Sequence, residues 1–194
     1  MSSASSRIRR KFFEIRVNID NLVNIKSCLC PEACIYCSQR LGSDSGIMKY
    51  SWISSEEAAS NAERAIAAGA KRVCLVASGR GPSERDLDRV THTISAIKDT
   101  APEVEVCVCL GLLKPGQAER LFDAGAPAYN HNLHTSAANY RQICPTHTFA
   151  DRVDTVHAAP PAGLSPCPRP TFGMDEVARD LGACPLALPD PSPS

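Results

Sequence analysis

Three cysteines lie within eight residues of one another near the start of the chain. Cys30, Cys34 and Cys37 follow the spacing Cys-x3-Cys-x2-Cys, and Tyr36 directly precedes the last of them. Three soft thiolates on one short loop can converge on a single metal centre, and iron–sulfur clusters are held by such thiolates. Three ligands on a four-iron cube leave one iron open to a small molecule. The spacing therefore favours a 4Fe–4S cluster with an accessible iron.

Zinc is the alternative occupant of this loop. Structural zinc takes four ligands, so it would need a fourth thiol beside the three. Cys28 could supply it, although Cys28 and Cys30 point to opposite sides if the chain there is extended. The zinc site stays open as the second interpretation.

The bulk composition limits the classes of partner. Twenty-one basic residues balance 21 acidic ones, so the charge offers no footprint for nucleic acid or an anionic membrane. No apolar run approaches the roughly 20 residues that span a bilayer. The start of the chain lacks the apolar centre of a secretory signal, so its ten cysteines indicate metal or redox work rather than disulfides. We expect a cytoplasmic protein.

Residues 1–16 are expected to form a disordered N-terminal tail. Met1–Phe13 carries four serines, three arginines and one lysine but no acidic residue. Mitochondrial transit peptides share this composition. The mitochondrial matrix is therefore the alternative location.

Strands and helices alternate along the middle of the chain. The predicted strands are residues 21–27, 72–77, 104–110, 128–133 and 163–167. The predicted helices are residues 54–68, 83–98, 114–124 and 149–159. This alternation predicts an α/β fold with a parallel sheet and helical crossovers. Functional residues of such folds collect on loops at the carboxyl ends of the strands, and the cysteine loop leaves the first strand at that end.

Three further cysteines, Cys74, Cys107 and Cys167, lie on predicted strands. Side chains that point inward from neighbouring strands could face one cavity. A lone cysteine on a buried strand is also a common apolar filler, so both interpretations stay open. The remaining cysteines are interpreted as fillers or spare thiols: Cys28, Cys109, Cys144 and Cys184. Solvation explains three histidines on or beside predicted helices: His92, His147 and His157.

The alternating pattern stops near residue 160. Nine of the 15 prolines fall in Pro160–Ser194, and proline suits neither helix interiors nor central strands. A closed eight-stranded barrel typically takes about 250 residues. We therefore expect a partial TIM-type (β/α) barrel over residues 17–176, with about five of the eight units. The C-terminal part of the barrel would be missing or irregular, and residues 177–194 would form an irregular, proline-rich tail.

The cysteine loop with its aromatic residue resembles the signature of the radical S-adenosylmethionine (SAM) enzymes. Its surroundings are similar to the biotin synthase family, in the family's order. The matching segments are residues 22–27, 30–39, 72–74, 107–111, 129–133, 146–152 and 164–167. The resemblance extends from Val17 to Glu176 and implies the radical SAM kind of partial barrel.

Membership of that family implies a sulfur-insertion reaction. Cys30, Cys34 and Cys37 would hold a 4Fe–4S cluster whose open iron chelates SAM. Electron transfer into SAM yields a 5′-deoxyadenosyl radical, which removes hydrogen from dethiobiotin. A 2Fe–2S cluster would then donate the sulfur that closes the ring of biotin. The three ligands that the resemblance assigns to this second cluster are Cys74, Cys107 and Cys167.

The resemblance also assigns binding roles around the clusters. Tyr36 would lie near the adenine of SAM, and Asn132 and Arg152 match residues that contact its ribose and carboxylate. Asn130, with Asn132, would contact dethiobiotin, since an amide suits the donors and acceptors of a ureido ring. His134 would contact the ribose. The implied partners are dethiobiotin, an electron donor such as flavodoxin or ferredoxin, and a second copy in a homodimer.

The chain departs from the family pattern at three points. His134 stands where the family has an acid on the ribose, and a neutral imidazole can still accept a hydrogen bond. The family's fourth ligand to the 2Fe–2S cluster is a late-strand arginine, and the chain ends before that strand. Only Phe172–Glu176 resembles the start of strand six. Two alternatives follow: a radical SAM enzyme without the second cluster, or an inactive truncated fragment that at most binds a metal or a partner.

Overall fold

A five-stranded parallel sheet forms the centre of the molecule. The computed structural model describes residues 3–15 and 17–183. Its strands are β1 (Asp20–Lys26), β2 (Arg72–Ala77), β3 (Glu105–Cys109), β4 (Ala128–Tyr129) and β5 (Ser165–Pro166). Neighbouring strands pair in the order β1-β2-β3-β4-β5, and every pair is parallel. Sequential parallel order is the arrangement of a TIM-type barrel. The predicted α/β partial barrel is confirmed.

Helices connect these strands and cover one face of the sheet. They are α1 (Ser3–Phe13), α2 (Ser55–Ala67), α3 (Glu84–Thr100), α4 (Gln117–Asp123), α5 (Tyr140–Ile143), α6 (Phe149–Ala158) and α7 (Ala178–Ala183), with a 3-10 turn at Pro160–Ala162. Side-chain oxygens of Ser54, Ser83 and Thr148 accept from backbone N–H groups to open α2, α3 and α6. These caps satisfy N–H groups that would otherwise have no partner, and they explain why the predicted starts are correct.

The alternation of side chains along the strands separates two faces. Val73 and Leu75 of β2, and Val106 and Val108 of β3, pack toward the helices in one continuous core. That core also contains, from α2, α3 and α4, Ala58, Ala62, Leu87, Val90, Ile94, Ile97 and Leu121. Each fully buried aliphatic side chain contributes about 1.5–3 kcal/mol. Because side chains alternate along a strand, the residues between these valines and leucines face the other side of the sheet.

Strands β4 and β5 are shorter than predicted. Asn130 N–H still donates to the Val108 carbonyl oxygen at 2.8 Å, but the ladder then ends. The cause lies in the neighbouring strand: β3 ends at Cys109, and its chain turns at Gly111, whose φ is 93°. β4 therefore loses its partner, and residues 130–133 belong to a loop instead of a strand.

Both ends of the chain differ from the prediction. Residues 3–13 form α1 instead of a disordered tail, because no glycine or proline interrupts them and Arg10 and Lys11 lie in the last turn, where basic residues favour a helix. α7 extends into the predicted irregular tail, where Asp180 accepts a hydrogen bond from Ser136. Residues 184–194, with the rest of that tail, lie outside the described residues. In the described part of the chain, no helix is long and apolar enough to cross a membrane.

Candidate functional site

The cysteine loop begins with two residues in the left-handed region. Cys28 and Leu29, directly after β1, have φ values of 68° and 59°. Gln39 holds the turn in place, because its Oε1 accepts from Cys28 N–H at 2.5 Å and its carbonyl oxygen accepts from Cys30 N–H at 3.1 Å. Leu41 N–H donates to the Cys30 carbonyl oxygen at 2.8 Å. Left-handed non-glycine residues persist only where the surroundings fix them, and they are frequent at functional sites.

The three loop thiols line the same cavity. Cys30, Cys34 and Cys37 line a cavity of about 310 Å³ at the carboxyl ends of β1, β2 and β3. The other predicted cosubstrate residues on its wall are Tyr36, His134 and Arg152. Burial raises the pKa of the Cys30 and Cys34 thiols, that of Cys34 to about 12. A metal would displace these protons, since thiolates are the ligands. Three converging soft donors fit a cluster of iron and sulfide.

Buried polar atoms without partners lie beside this cavity. The side-chain atoms Asn130 Oδ1, His131 Nε2 and Asn132 Oδ1 have no hydrogen-bond partner within the described part of the chain. His131 also lines the cavity, and burial depresses its pKa well below the usual range. Buried polar atoms are normally hydrogen-bonded, so an unsatisfied group indicates a missing ligand or water. Three such atoms in consecutive residues fit a polar ligand.

Tyr36 and His134 form a pair on the wall of the cavity. Tyr36 Oη lies 2.5 Å from His134 Nε2, and the ring centroids are 4.7 Å apart. Burial, with the nearby charge of Arg152, lowers the pKa of His134 to about 3. The imidazole is therefore neutral at physiological pH: Nε2 accepts from the tyrosine hydroxyl, and Nδ1, 3.3 Å from Thr171 Oγ1, donates. The neutral imidazole at the family's acid position thus has a defined tautomer.

Arg152 reaches the cavity from α6. Its Nε donates to the Asn132 carbonyl oxygen at 2.5 Å, and its Nη1 lies 3.1 Å from His147 Nε2. The neighbouring Asp151 is occupied with the helix cap, where it accepts from Thr148 N–H at 2.7 Å. The guanidinium is therefore held at the wall of the cavity by the 130–134 loop and by His147.

A buried ionic cluster lies directly under the cysteine loop. Glu32 Oε1 accepts from Arg80 Nη1 at 2.9 Å, and Glu32 Oε2 accepts from Thr146 Oγ1 and His147 Nδ1, each at 2.5 Å. Burial alone would raise the pKa of Glu32, but the hydrogen bonds from these three residues outweigh it and lower the pKa. Through these hydrogen bonds Glu32, in the loop after β1, contacts Arg80, in the loop after β2, and the residues just before α6.

Sequence reasoning missed this cluster. His147 is buried, with Tyr140 Oη 2.8 Å from its Nε2, so the interpretation of it as a solvated residue is wrong. Cys144, interpreted as a spare thiol, lies with its Sγ 3.3 Å from Cys34 Sγ. The spacing Cys144-x-x-His147 is the signal in the sequence that could have found both.

The strand cysteines form a second group on the face of the sheet opposite the helices. Cys74 of β2 and Cys107 of β3 are register partners and pack with Ala128 of β4. Cys167 follows β5, and its N–H donates to the Tyr129 carbonyl oxygen at 2.9 Å. A hydrogen bond from Cys167 lowers the pKa of Cys107, but the hydrogen bond with Cys74 and burial together raise it to about 12. The structure therefore brings the three thiols together.

An arginine accompanies this second group. Arg72 Nη1 lies 3.7 Å from Cys167 Sγ, and Arg72 Nη2 pairs with Glu105 at 2.6 Å. The hydrogen bond with Cys107 and burial raise the pKa of Cys167 well above its usual range, and the positive charge of Arg72 opposes this rise only in part. Three thiols and a cation on rigid strands fit a small anionic cluster.

Comparisons with known proteins agree with this geometry. The sequence pattern of the Radical SAM superfamily matches residues 24–180. The chain belongs to the radical SAM superfamily. It is also similar to biotin synthases: it is 58% identical over 191 residues to "Biotin synthase 2" of Frankia casuarinae, covering 98% of this chain and 53% of that protein. The biotin synthase of Streptomyces avermitilis is 58% identical over 179 residues, which cover 92% of this chain and 46% of that protein.

The chain spans about half the length of these curated relatives. Among solved structures, methylornithine synthase (PylB) superposes with a TM-score of 0.80 at 18% identity, over 94% of this chain and 53% of that chain. At this identity the match supports the fold alone, and it agrees with the observed partial barrel. The resemblance to biotin synthases in the sequence is confirmed.

Proposed function

We propose that this chain carries the radical-generating and sulfur-donating residues of a biotin synthase, which inserts sulfur into dethiobiotin to form biotin. The observation that supports this most is the presence of two separate three-thiol groups on one sheet, one at the carboxyl ends of its strands and one on the face opposite the helices. A radical SAM enzyme needs only the loop group, whereas sulfur insertion needs a sulfur source beside it. The similarity to two biotin synthases supports the same assignment.

The loop group is proposed to hold the 4Fe–4S cluster and to present it to SAM. Cys30, Cys34 and Cys37 would be its three ligands, which leaves one iron open within the cavity. When bound and reduced, this cluster supplies the electron that cleaves SAM to methionine and the 5′-deoxyadenosyl radical that abstracts hydrogen from dethiobiotin.

Residues around the cavity are proposed to orient SAM. The Arg152 guanidinium can give the SAM carboxylate two parallel charge-assisted hydrogen bonds. The ring of Tyr36 would offer an aromatic face to the adenine, and the tilted ring of His134 beside it would offer a polar edge to the ribose. Asn132 would complete the ribose contacts, since its Oδ1 is buried and has no partner within the described residues.

The strand group is proposed to hold the 2Fe–2S cluster that donates sulfur. Cys74, Cys107 and Cys167 would be three of its ligands, and Arg72 would neutralise part of its negative charge. Asn130 would bind the ureido ring of dethiobiotin between the two groups of thiols. A flavodoxin or ferredoxin as the electron donor and a homodimeric assembly stay predictions of the family resemblance.

Anaerobic reconstitution with iron and sulfide tests the proposal. The reduced protein should convert SAM to 5′-deoxyadenosine, measured by chromatography, and should form more of it when dethiobiotin is present. Biotin should appear in the same mixture at no more than about one equivalent per 2Fe–2S cluster. Formation of 5′-deoxyadenosine with no biotin would contradict the assignment of the strand thiols. Failure to cleave SAM at all would contradict the assignment of the loop thiols.

A further inference from the structure

A second set of metal-ligating atoms lies beneath the loop thiols. Cys34 Sγ, Cys144 Sγ and a ring nitrogen of His147 all lie within 4.8 Å of one another, and all three residues are buried. Cys144 Sγ is 3.3 Å from Cys34 Sγ and 3.2 Å from His147 Nδ1. The ligands of a tetrahedral zinc ion with thiolate donors lie roughly 3.7 Å apart. A slight widening of the group would therefore admit one ion.

Backbone contacts hold the two thiols of this set together. On one side of Cys34, Ala33 N–H donates to Thr146 Oγ1 at 3.1 Å. On its other side, Ile35 N–H donates to the Ile143 carbonyl oxygen at 3.0 Å. Residues 143 and 146 flank the second cysteine of the pair. One main-chain hydrogen bond and one bond to a threonine side chain thus hold the backbone segments of the two cysteines next to each other.

The histidine already has the partners of a metal ligand. His147 Nδ1 faces both Cys144 Sγ and Glu32 Oε2, at 3.2 Å and 2.5 Å. Its Nε2 lies 2.8 Å from Tyr140 Oη. If a metal takes Nδ1, the ring proton moves to Nε2 and is donated to the tyrosine oxygen, which is the usual support of a ligating histidine. Arg152 Nη1, now 3.1 Å from Nε2, would then have to turn away, because two N–H donors cannot share this contact. Glu32 is then released from Nδ1 and becomes available as a fourth, oxygen ligand.

We propose that Cys34, Cys144 and His147, with Glu32 as the fourth ligand, bind one soft divalent cation of the zinc class when no cluster occupies the loop. Two thiolates, one imidazole and one carboxylate form a closed tetrahedral set of the kind that binds zinc. Cys34 also belongs to the loop group, so the cation and the 4Fe–4S cluster exclude each other. The site would keep the Cys34 and Cys144 thiols from oxidation and would compete with cluster assembly.

Cobalt(II) is the probe for this site, because tetrahedral thiolate ligation gives it strong absorption in the visible and near-ultraviolet. The full chain, free of iron and sulfide and kept reduced and anaerobic, is titrated with cobalt. We expect one cobalt per chain, with thiolate charge-transfer bands that zinc abolishes. Cys144→Ala and His147→Gln should weaken cobalt binding at least tenfold. The matched control is Cys109→Ala, which removes a thiol from the same cavity but outside this set and should leave binding unchanged.

Two results would overturn the proposal. One is cobalt binding that Cys37→Ala abolishes and Cys144→Ala leaves intact, because the loop thiols alone would then hold the ion. The other is the absence of any thiolate band in a chain whose circular dichroism shows it folded. Cys144→Ser, which keeps the shape of the side chain, separates a lost ligand from a lost fold. These readouts use no iron, sulfide or SAM, so their failure is distinct from failure of the proposed function.

Discussion

The two groups of thiols are held by different kinds of backbone. The loop group lies on an irregular turn with two left-handed residues, fixed by Gln39 and by contacts to the start of α6. The strand group is fixed by the register of the sheet, in which Cys74 and Cys107 are direct partners. A loop can present a cluster to a cosubstrate that must enter and leave. Neighbouring strands can hold a small cluster rigidly, and each site has the backbone that its proposed chemistry requires.

The surroundings of the two groups differ as well. The loop thiols share their cavity with His131, His134 and Arg152, and unsatisfied polar atoms lie nearby. The strand thiols contact one another and lie beside Arg72, which is already paired with Glu105. The loop site is therefore suited to exchange a polar ligand, whereas the strand site is suited to keep what it binds.

Single-cysteine variants should give the largest effect and separate the two groups completely. In Cys37→Ala, loss of one of three ligands should abolish SAM cleavage and remove about four iron atoms per chain after reconstitution. In Cys167→Ala, SAM cleavage should persist and only about two iron atoms should be lost. Iron and sulfide analysis, with assay of 5′-deoxyadenosine, measures both. If either variant loses both clusters, the two groups are not independent.

Loss of the Arg152 side chain at the loop site should weaken SAM binding, whereas loss of the Arg72 side chain at the strand site should not. Arg152→Ala should weaken SAM binding by about 1.5–3 kcal/mol, or roughly 10- to 100-fold, since it removes charge-assisted hydrogen bonds to a carboxylate. Equilibrium dialysis with labelled SAM on the reconstituted chain checks this. Arg72→Ala is the matched control at the strand site, and its affinity for SAM should be unchanged. Equal losses in the two variants would contradict the division of roles.

Ionisation of Glu32, at the loop site, should make the free energy of unfolding depend on pH. Its folded pKa is lowered, so its ionised form stabilises the chain above the unfolded value of about 4.5, and that stability is lost as pH falls through the folded pKa. Glu32→Gln should lower the free energy of unfolding by about 1–3 kcal/mol at pH 7 and flatten its acid dependence. Urea unfolding at several pH values between about 3 and 7, the range over which carboxyl groups titrate, measures this dependence. A variant with unchanged stability at pH 7 would show that the ionic cluster contributes nothing net.

The free energy of unfolding should also depend on pH through His134, in the same direction as for Glu32 but beginning at a higher pH. Its folded pKa of about 3 lies below the ordinary value of 6.5, so the unfolded chain binds the extra proton first as pH falls. Stability should therefore decline by up to about 1.4 kcal/mol per pH unit below 6.5. His134→Gln, which keeps a hydrogen-bonding side chain, should remove this decline. Thermal unfolding at pH 7 and pH 5 compares the two chains, and identical slopes would contradict the assigned neutral state.

Local patterns in the sequence predicted the helices and strands that position both groups of thiols. Ser54, Ser83 and Thr148 cap helices that begin within one residue of their predicted starts. The alternation along β2 and β3 places Cys74 and Cys107 on one face. Such features depend on residues a few positions apart, so the sequence alone determines them.

Contacts between distant segments escaped prediction. Glu32 and His147 are 115 residues apart, and nothing local to either residue indicates the other. The ends of β4 and β5 also depended on a neighbour, since the turn at Gly111 removes the partner of β4. The helix at residues 3–13 was not predicted for a different reason. Its composition suits a solvated tail and a helix equally.

The central claim is that the loop thiols hold a cluster with an open iron and the strand thiols hold another that SAM does not touch. Mössbauer spectra of the chain reconstituted with ⁵⁷Fe, recorded with and without SAM, test it most directly. We predict two sets of signals, of which only the 4Fe–4S set changes when SAM is added. A single set, or two sets that both ignore SAM, would contradict the account.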